Sequence, residues 1–229
     1  MYKKSRFITV DDNKTNYFMY KLPVTWWSRP YEYEWCKNFI DKNDIVLDAA
    51  SGIIHPLIFY LADNCKEVFA CDLNKDITTD ISKLQLPKDI IASKYTKIRN
   101  TCCSITKTPY RDNMFDKIFC ISTLEHIEGY LIKIIRHLRL NRYFTGILKR
   151  SKYKSILKAL LEFQRLLKPK GLLILTFDYP DIDLIYLLNI LKKTKLSLVG
   201  DITKEIPSNA LKNNDLTLLC FRMALYKNF

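Results

Sequence analysis

The sequence predicts an α/β fold built on a mostly parallel, doubly wound sheet, with ligands bound beyond the C-terminal strand ends. Three observations predict it. Short apolar runs recur at residues 45–47, 68–71, 98–103, 115–121 and 171–177, and helical or loop stretches separate them. Residues 44–74 read as one complete strand, turn, helix and strand. Two last apolar runs, 196–199 and 216–225, flank a polar loop at 207–214 and predict an antiparallel hairpin at one end of the sheet.

Residues 1–21 are polar and tyrosine-rich without a period, which predicts a flexible arm or a flap. Residues 23–35 then carry five aromatics in thirteen positions, with Ser28 placed to cap a helix and Pro30 near its first turn. Such aromatics, Tyr31 and Tyr33 among them, form either one wall of a pocket or a cover for the sheet edge. Arg29 offers a fixed cation for a carboxylate.

In the unit that follows, Gly52 stands where strand passes into helix, and a residue without a Cβ lets a ligand approach the backbone there. Asp72 closes the second strand, where a carboxylate can accept hydrogen bonds from two ribose hydroxyls. The pairing points to an adenosine-containing cofactor. A dinucleotide site is excluded by the single glycine of this turn, because GxGxxG is needed to close several amides on a pyrophosphate. Residues 74–84 predict a short helix that Pro87 ends, and residues 184–191 predict another.

With 229 residues, 48% hydrophobic and 27% charged, the chain has the composition of one soluble α/β domain. No apolar run approaches the ~18 residues that span a bilayer, so a cytoplasmic protein is expected. The seven cysteines contain no CxxC pair and read as reduced core residues, with no metal site. A net charge of +13 suits an acidic partner or substrate, and a lysine-rich proteome gives the same number without one.

Four segments, VLDAASG, the strand closing on Asp72, FDKIFCISTLEHI and LLKPKGLLILTF, together resemble the class I S-adenosylmethionine-dependent methyltransferases, in particular their broad small-molecule branch. The resemblance spans roughly residues 44–225 and implies a Rossmann-like, seven-stranded sheet with a C-terminal antiparallel hairpin. It implies a domain at 44–229 preceded by an arm and aromatic helix at 1–43. It further implies S-adenosylmethionine as cofactor, with Asp48, Ala50, Ser51 and Gly52 along its methionine and ribose part, Asp72 on the ribose hydroxyls and Leu73 against adenine. Ser104 and Ile105 fall where the family bonds the adenine amino group, although the family residue there is usually acidic. Ser122 and Thr123 would lie near the sulfonium, and His126 is the candidate base. Asp178 and Tyr179, with Arg29, Tyr31 and Tyr33, would face the acceptor. The implied reaction moves a methyl group to an oxygen or nitrogen of a small-molecule or glycan-type, anionic acceptor. An RNA methyltransferase and a non-catalytic protein that binds a partner or membrane are the alternatives.

Residues 129–155 form an insertion between the fourth and fifth strands, and no acidic residue interrupts nine Lys and Arg between Glu128 and Glu162. Arg150, Lys154 and Lys158 share one helical stripe. The element reads as a lid over an anionic acceptor, a surface for an anionic membrane, or a track for a phosphate backbone; the last ranks lowest because no RNA-reading module accompanies it.

Overall fold

The computed structural model describes residues 4–127, 145–215 and 217–229. Its elements are β1 (Arg6–Phe7), α1 (Arg29–Cys36), β2 (Ile45–Ala49), α2 (Pro56–Asn64), β3 (Glu67–Asp72), β4 (Arg99–Cys102), β5 (Phe115–Ile121), α3 (Thr145–Leu166), β6 (Leu167–Tyr179), α4 (Leu184–Leu191), β7 (Leu196–Leu198) and β8 (Leu219–Lys227). The strands form one sheet in the order β1-β8-β6-β5-β2-β3-β4, with β7 also paired to β8. β2 pairs in parallel with both β3 and β5, so the chain reverses its direction of travel between those neighbours. That switch point is where an open sheet of this kind leaves a crevice for a ligand.

The sheet is buried on both faces, as its near-continuous apolar strands require. On one side α3 and α4 pack Tyr153, Ile156, Leu160, Phe163 and Leu187 against Leu47, Ile118 and Leu175. On the other, α1 and α2 bring Tyr33, Trp35, Leu57 and Leu61 against Val46, Phe119 and Ile174. In α3 the stripe of Arg150, Lys154 and Lys158 faces solvent while Tyr153 and Ile156 are buried, the two-faced pattern that the helical spacing predicts. Residues 145–155 therefore belong to a core helix, and the rest of the expected insertion, 129–144, lies outside the described residues.

Several expectations need correction. The sheet has eight strands instead of seven, because residues 6 and 7 add an antiparallel edge to β8, with Arg6 opposite Arg222 and Phe7 opposite Phe221. The N-terminal segment is thus no free arm: Phe7 and Ile8 are buried, and the Leu211 amide donates to the Ile8 carbonyl at 2.9 Å. The helix expected at 74–84 is two short 3₁₀ turns, Lys75–Thr78 and Ile81–Lys83. The side chains of Asn74 and Asp80 each accept from an amide two residues on, a local bond that competes with helix propagation. The fifth strand of the sequence reading begins earlier, at Leu167, with a register shift before Leu172. Gly171 is needed at that kink, since a Cβ there would lie 2.9 Å from the Lys168 carbonyl oxygen and 3.0 Å from that of Asp116.

Among the described residues no helix is long and apolar enough to cross a membrane, and no group of three His, Cys, Asp or Glu side chains is placed to hold a metal ion.

Candidate active site

A cavity of about 730 Å³ opens beyond the C-terminal ends of β2 to β5, within the range of small-molecule sites. Its floor is the turn after β2. Ala50 and Gly52 adopt φ of 59° and 66°, the left-handed region, and the glycine is also required sterically: a Cβ on it would stand 2.8 Å from His55 Cδ2. The Ser51 amide donates to the Cys71 carbonyl at 3.1 Å, and the Gly52 amide donates to Asp72 Oδ2 at 3.0 Å. Asp72 Oδ1 accepts from the Asn74 amide at 2.9 Å. Two backbone donors thus fix the carboxylate while each oxygen keeps a lone pair for a ligand hydroxyl.

Asp48, 3% exposed, lines the cavity below this turn. Burial pushes its carboxyl up to about 7, against the pull of Arg29. His55 occupies the N-cap position of α2 without a side-chain cap bond, and its ring lies tilted at 40° to that of Trp26 with centroids 4.9 Å apart. Burial, and then Arg29, push it down to about 4, so it stands neutral at physiological pH.

The wall nearest β5 is organised by Glu32 of α1. Its Oε2 accepts from Arg29 Nη1 at 2.7 Å and from Ser28 Oγ at 3.2 Å, and its Oε1 accepts from Ser122 Oγ at 2.5 Å and Cys220 Sγ at 3.3 Å. Burial alone would raise this carboxyl, but Arg29 and the hydroxyl of Ser122 hold it below the usual range. Ser122, at φ 41°, is held from behind by the carbonyl and hydroxyl of Thr176, each 3.0 Å from its amide. His126 lies at the rim, and burial followed by Arg29 and Lys152 lowers its pKa. Behind it both carboxyl oxygens of buried Glu125 have no hydrogen-bond partner among the described residues, and desolvation pushes this group up to about 8.

The structure brings thirteen of the expected residues to this one cavity: Arg29, Tyr33, Asp48, Ala50, Ser51, Gly52, Asp72, Leu73, Ser104, Ile105, Ser122, Thr123 and His126. Ser104 bonds Thr106 Oγ1 at 2.9 Å and accepts from the Thr106 amide at 3.2 Å, so its hydroxyl is committed to a local turn. Three expected acceptor contacts lie elsewhere. Tyr31 packs into a buried cluster with Ile8, Leu211 and Cys220, and Tyr179 sets its ring edge-on to Phe7 at 5.4 Å. Asp178 lies outside the cavity lining, its Oδ1 buried without a partner among the described residues and its carboxyl pushed by desolvation to about 6. Sequence reasoning gave no site role to Glu32, which holds Arg29, and placed His55 only at a helix start. A histidine directly before the helix-starting Pro56 was the one available signal for the latter.

The residues present fit S-adenosylmethionine. The Gly52 amide is already bonded to Asp72, so this turn does not offer it to a phosphate. Asp48 and Asp72 line the same cavity as Arg29, whose charge Glu32 matches, a balance that suits a cationic ligand over a polyanion.

Residues 47–145 match a family model described as a methyltransferase domain. An uncharacterised protein of Methanocaldococcus jannaschii is 30% identical over 139 residues; the match covers 60% of this chain and 43% of that protein, so the chain spans less than half of its relative's length. Among solved structures, the 4+2 cyclase SpnF has a TM-score of 0.58 at 12% identity over 96% of this chain and 88% of its own. The 1,6-didemethyltoxoflavin N1-methyltransferase of Burkholderia thailandensis, crystallised with S-adenosylhomocysteine, has a TM-score of 0.54 at 15% identity over 82% and 72%. The N-methyltransferase NodS of Bradyrhizobium japonicum has 0.54 at 13% over 91% and 100%. These likenesses show the fold. The turn that commits its glycine amide to a carboxylate thus lies at the switch point of this sheet and within the stretch that matches the methyltransferase-domain model.

Proposed function

We propose that this protein transfers a methyl group from S-adenosylmethionine to a nitrogen or oxygen of a small-molecule acceptor. The observation that carries the reading is the bond from the Gly52 amide to Asp72, which presents a fixed carboxylate to a cavity without a phosphate cradle. S-adenosylmethionine, when bound, supplies an already activated methyl group, so the protein's task is alignment and exclusion of water. Asp72 would hold the ribose hydroxyls, Leu73 and Ile105 would cover the adenine, and Asp48 would face the positive end of the molecule. Ser122, held by Glu32, and Thr123, held by the Ile121 carbonyl, set the wall past which the acceptor would enter. His126, kept neutral by desolvation, has a lone pair with which to take a proton from an N–H or O–H nucleophile.

The acceptor we favour is anionic away from its nucleophile, a phosphorylated small molecule or glycan precursor. Support comes from α3, whose Ser155 lines the cavity and which carries the exposed stripe of Arg150, Lys154 and Lys158. Calorimetry with S-adenosylmethionine and S-adenosylhomocysteine tests the core claim. Asp72→Ala should weaken both by at least about tenfold, the loss of two charge-assisted hydrogen bonds. Unchanged affinity would remove the site assignment. Incorporation of labelled methyl into a small-molecule extract rather than total RNA is the expected outcome for the acceptor class.

A further inference from the structure

Cys103 is a cavity-lining side chain that methyl transfer leaves unused. It follows β4, where its amide donates to the Asp72 carbonyl at 2.9 Å, next to the carboxylate assigned to the ribose. Parallel pairing sets Cys71 opposite Thr101 and Asp72 opposite Cys102. Because side chains alternate along a strand, residues 71 and 103 fall on the same face at adjacent strand ends, and residue 102 falls on the other. Cys71 is fully buried and Cys103 half-buried, and the two thiols are side-chain neighbours. The neighbouring Cys71 thiol lowers the pKa of Cys103, while burial and Glu162 of α3 oppose this. Tyr110 and the carboxyl of Asp48 also face the pair, Asp48 acting on Cys71. Cys102 is more exposed, but its Sγ is directed to the Leu73 carbonyl at 3.6 Å.

We infer that Cys103 is a thiol-modification site inside the cofactor cavity, where a small disulfide such as glutathione disulfide forms a mixed disulfide that excludes the adenosyl group. In the exchange the Cys103 thiolate attacks one sulfur of the reagent and a new S–S bond forms as the old one breaks. One glutathione leaves as a thiolate and takes up the proton that Cys103 released. Excess thiol reverses the step. A cavity-lining thiol backed by a second one is the arrangement found at reversible redox sites. The reactivity of Cys103 stands on its own geometry; only its consequence for the cofactor rests on the proposed function.

The test treats the reduced 229-residue chain with limiting glutathione disulfide, with and without saturating S-adenosylhomocysteine, and locates the adduct by fragment-ion mass spectrometry. The adduct should form on Cys103 ahead of Cys102, S-adenosylhomocysteine should slow it by about tenfold, and the modified protein should lose at least about tenfold in affinity for that compound. Cys71→Ala should slow adduct formation severalfold, whereas the affinity of Cys103→Ser should not change on treatment. Adducts on Cys102 or Cys65 with Cys103 unreacted would overturn the inference, as would a Cys103→Ser protein that loses affinity on treatment as the parent does. An untreated protein that binds no S-adenosylhomocysteine would refute the cofactor assignment instead, and the position of the adduct would still decide the thiol's role.

Discussion

Asp48 is a carboxyl raised to about 7 by burial in a cavity proposed to take a cationic ligand, and the two facts are linked. A cation lodged beside it favours its ionised form, so binding near pH 7 should release a proton. Calorimetric heats of S-adenosylmethionine binding should therefore vary with the ionisation enthalpy of the buffer at pH 6.5–7, and Asp48→Asn should abolish that variation. Gly52→Ala forces a Cβ into the left-handed region and against the His55 ring. It should lower stability by about 1–2 kcal/mol in denaturant titrations and weaken S-adenosylhomocysteine binding. The glycine and Asp72 were legible in the sequence because strand, turn and strand are contiguous. Their direct bond was not, since it depends on how far β3 overlaps β2.

At the scale of elements, α1 is bound to the sheet through one buried carboxylate. Glu32 takes hydrogen bonds from Arg29 on its own helix and from Ser122 beyond β5, 90 residues away. Glu32→Gln leaves the Arg29 cation without its counter-charge in a buried setting, and removal of one partner of such a pair typically costs about 3–5 kcal/mol. Urea unfolding should show a loss of that order. Ser122→Ala, which removes one hydrogen bond to the same carboxylate, should cost nearer to about 1–2 kcal/mol. Sequence periodicity located α1 but could not assign its partners: a Glu in an aromatic segment reads as a surface residue until the fold buries it. Tyr31 and Tyr33 show the same limit. They are two residues apart on α1, yet Tyr33 lines the cavity and Tyr31 enters the cluster with Ile8 and Leu211.

Over the whole molecule, several buried groups carry displaced pKa values of opposite sign. Asp48, Asp178 and Glu125 are raised to about 7, 6 and 8, chiefly by desolvation. Their contribution to stability is full below their unfolded values near pH 4 and is lost as pH rises through 6 to 8. His55 is lowered to about 4, so its contribution is present above about pH 6.5 and is lost as pH falls through 4. Between pH 6.5 and 8 the raised carboxyls dominate, and thermal midpoints should fall as pH rises. Glu125→Gln should flatten that slope by up to about 2 kcal/mol across the window, because Glu125 has the highest value of the three.

By itself the sequence determined the order of the central strands and helices, the glycine turn after the first of them and the acidic end of the next, because each depends on residues within about thirty positions of one another. Its near-continuous apolar runs also required a sheet covered on both faces. Only the tertiary structure decided that residues 6 and 7 close the far edge of the sheet, that Glu32 clamps Arg29 to Ser122, and that Cys71 meets Cys103. Those contacts join segments far apart in the chain, and their existence depends on strand register and burial, which local propensity does not encode.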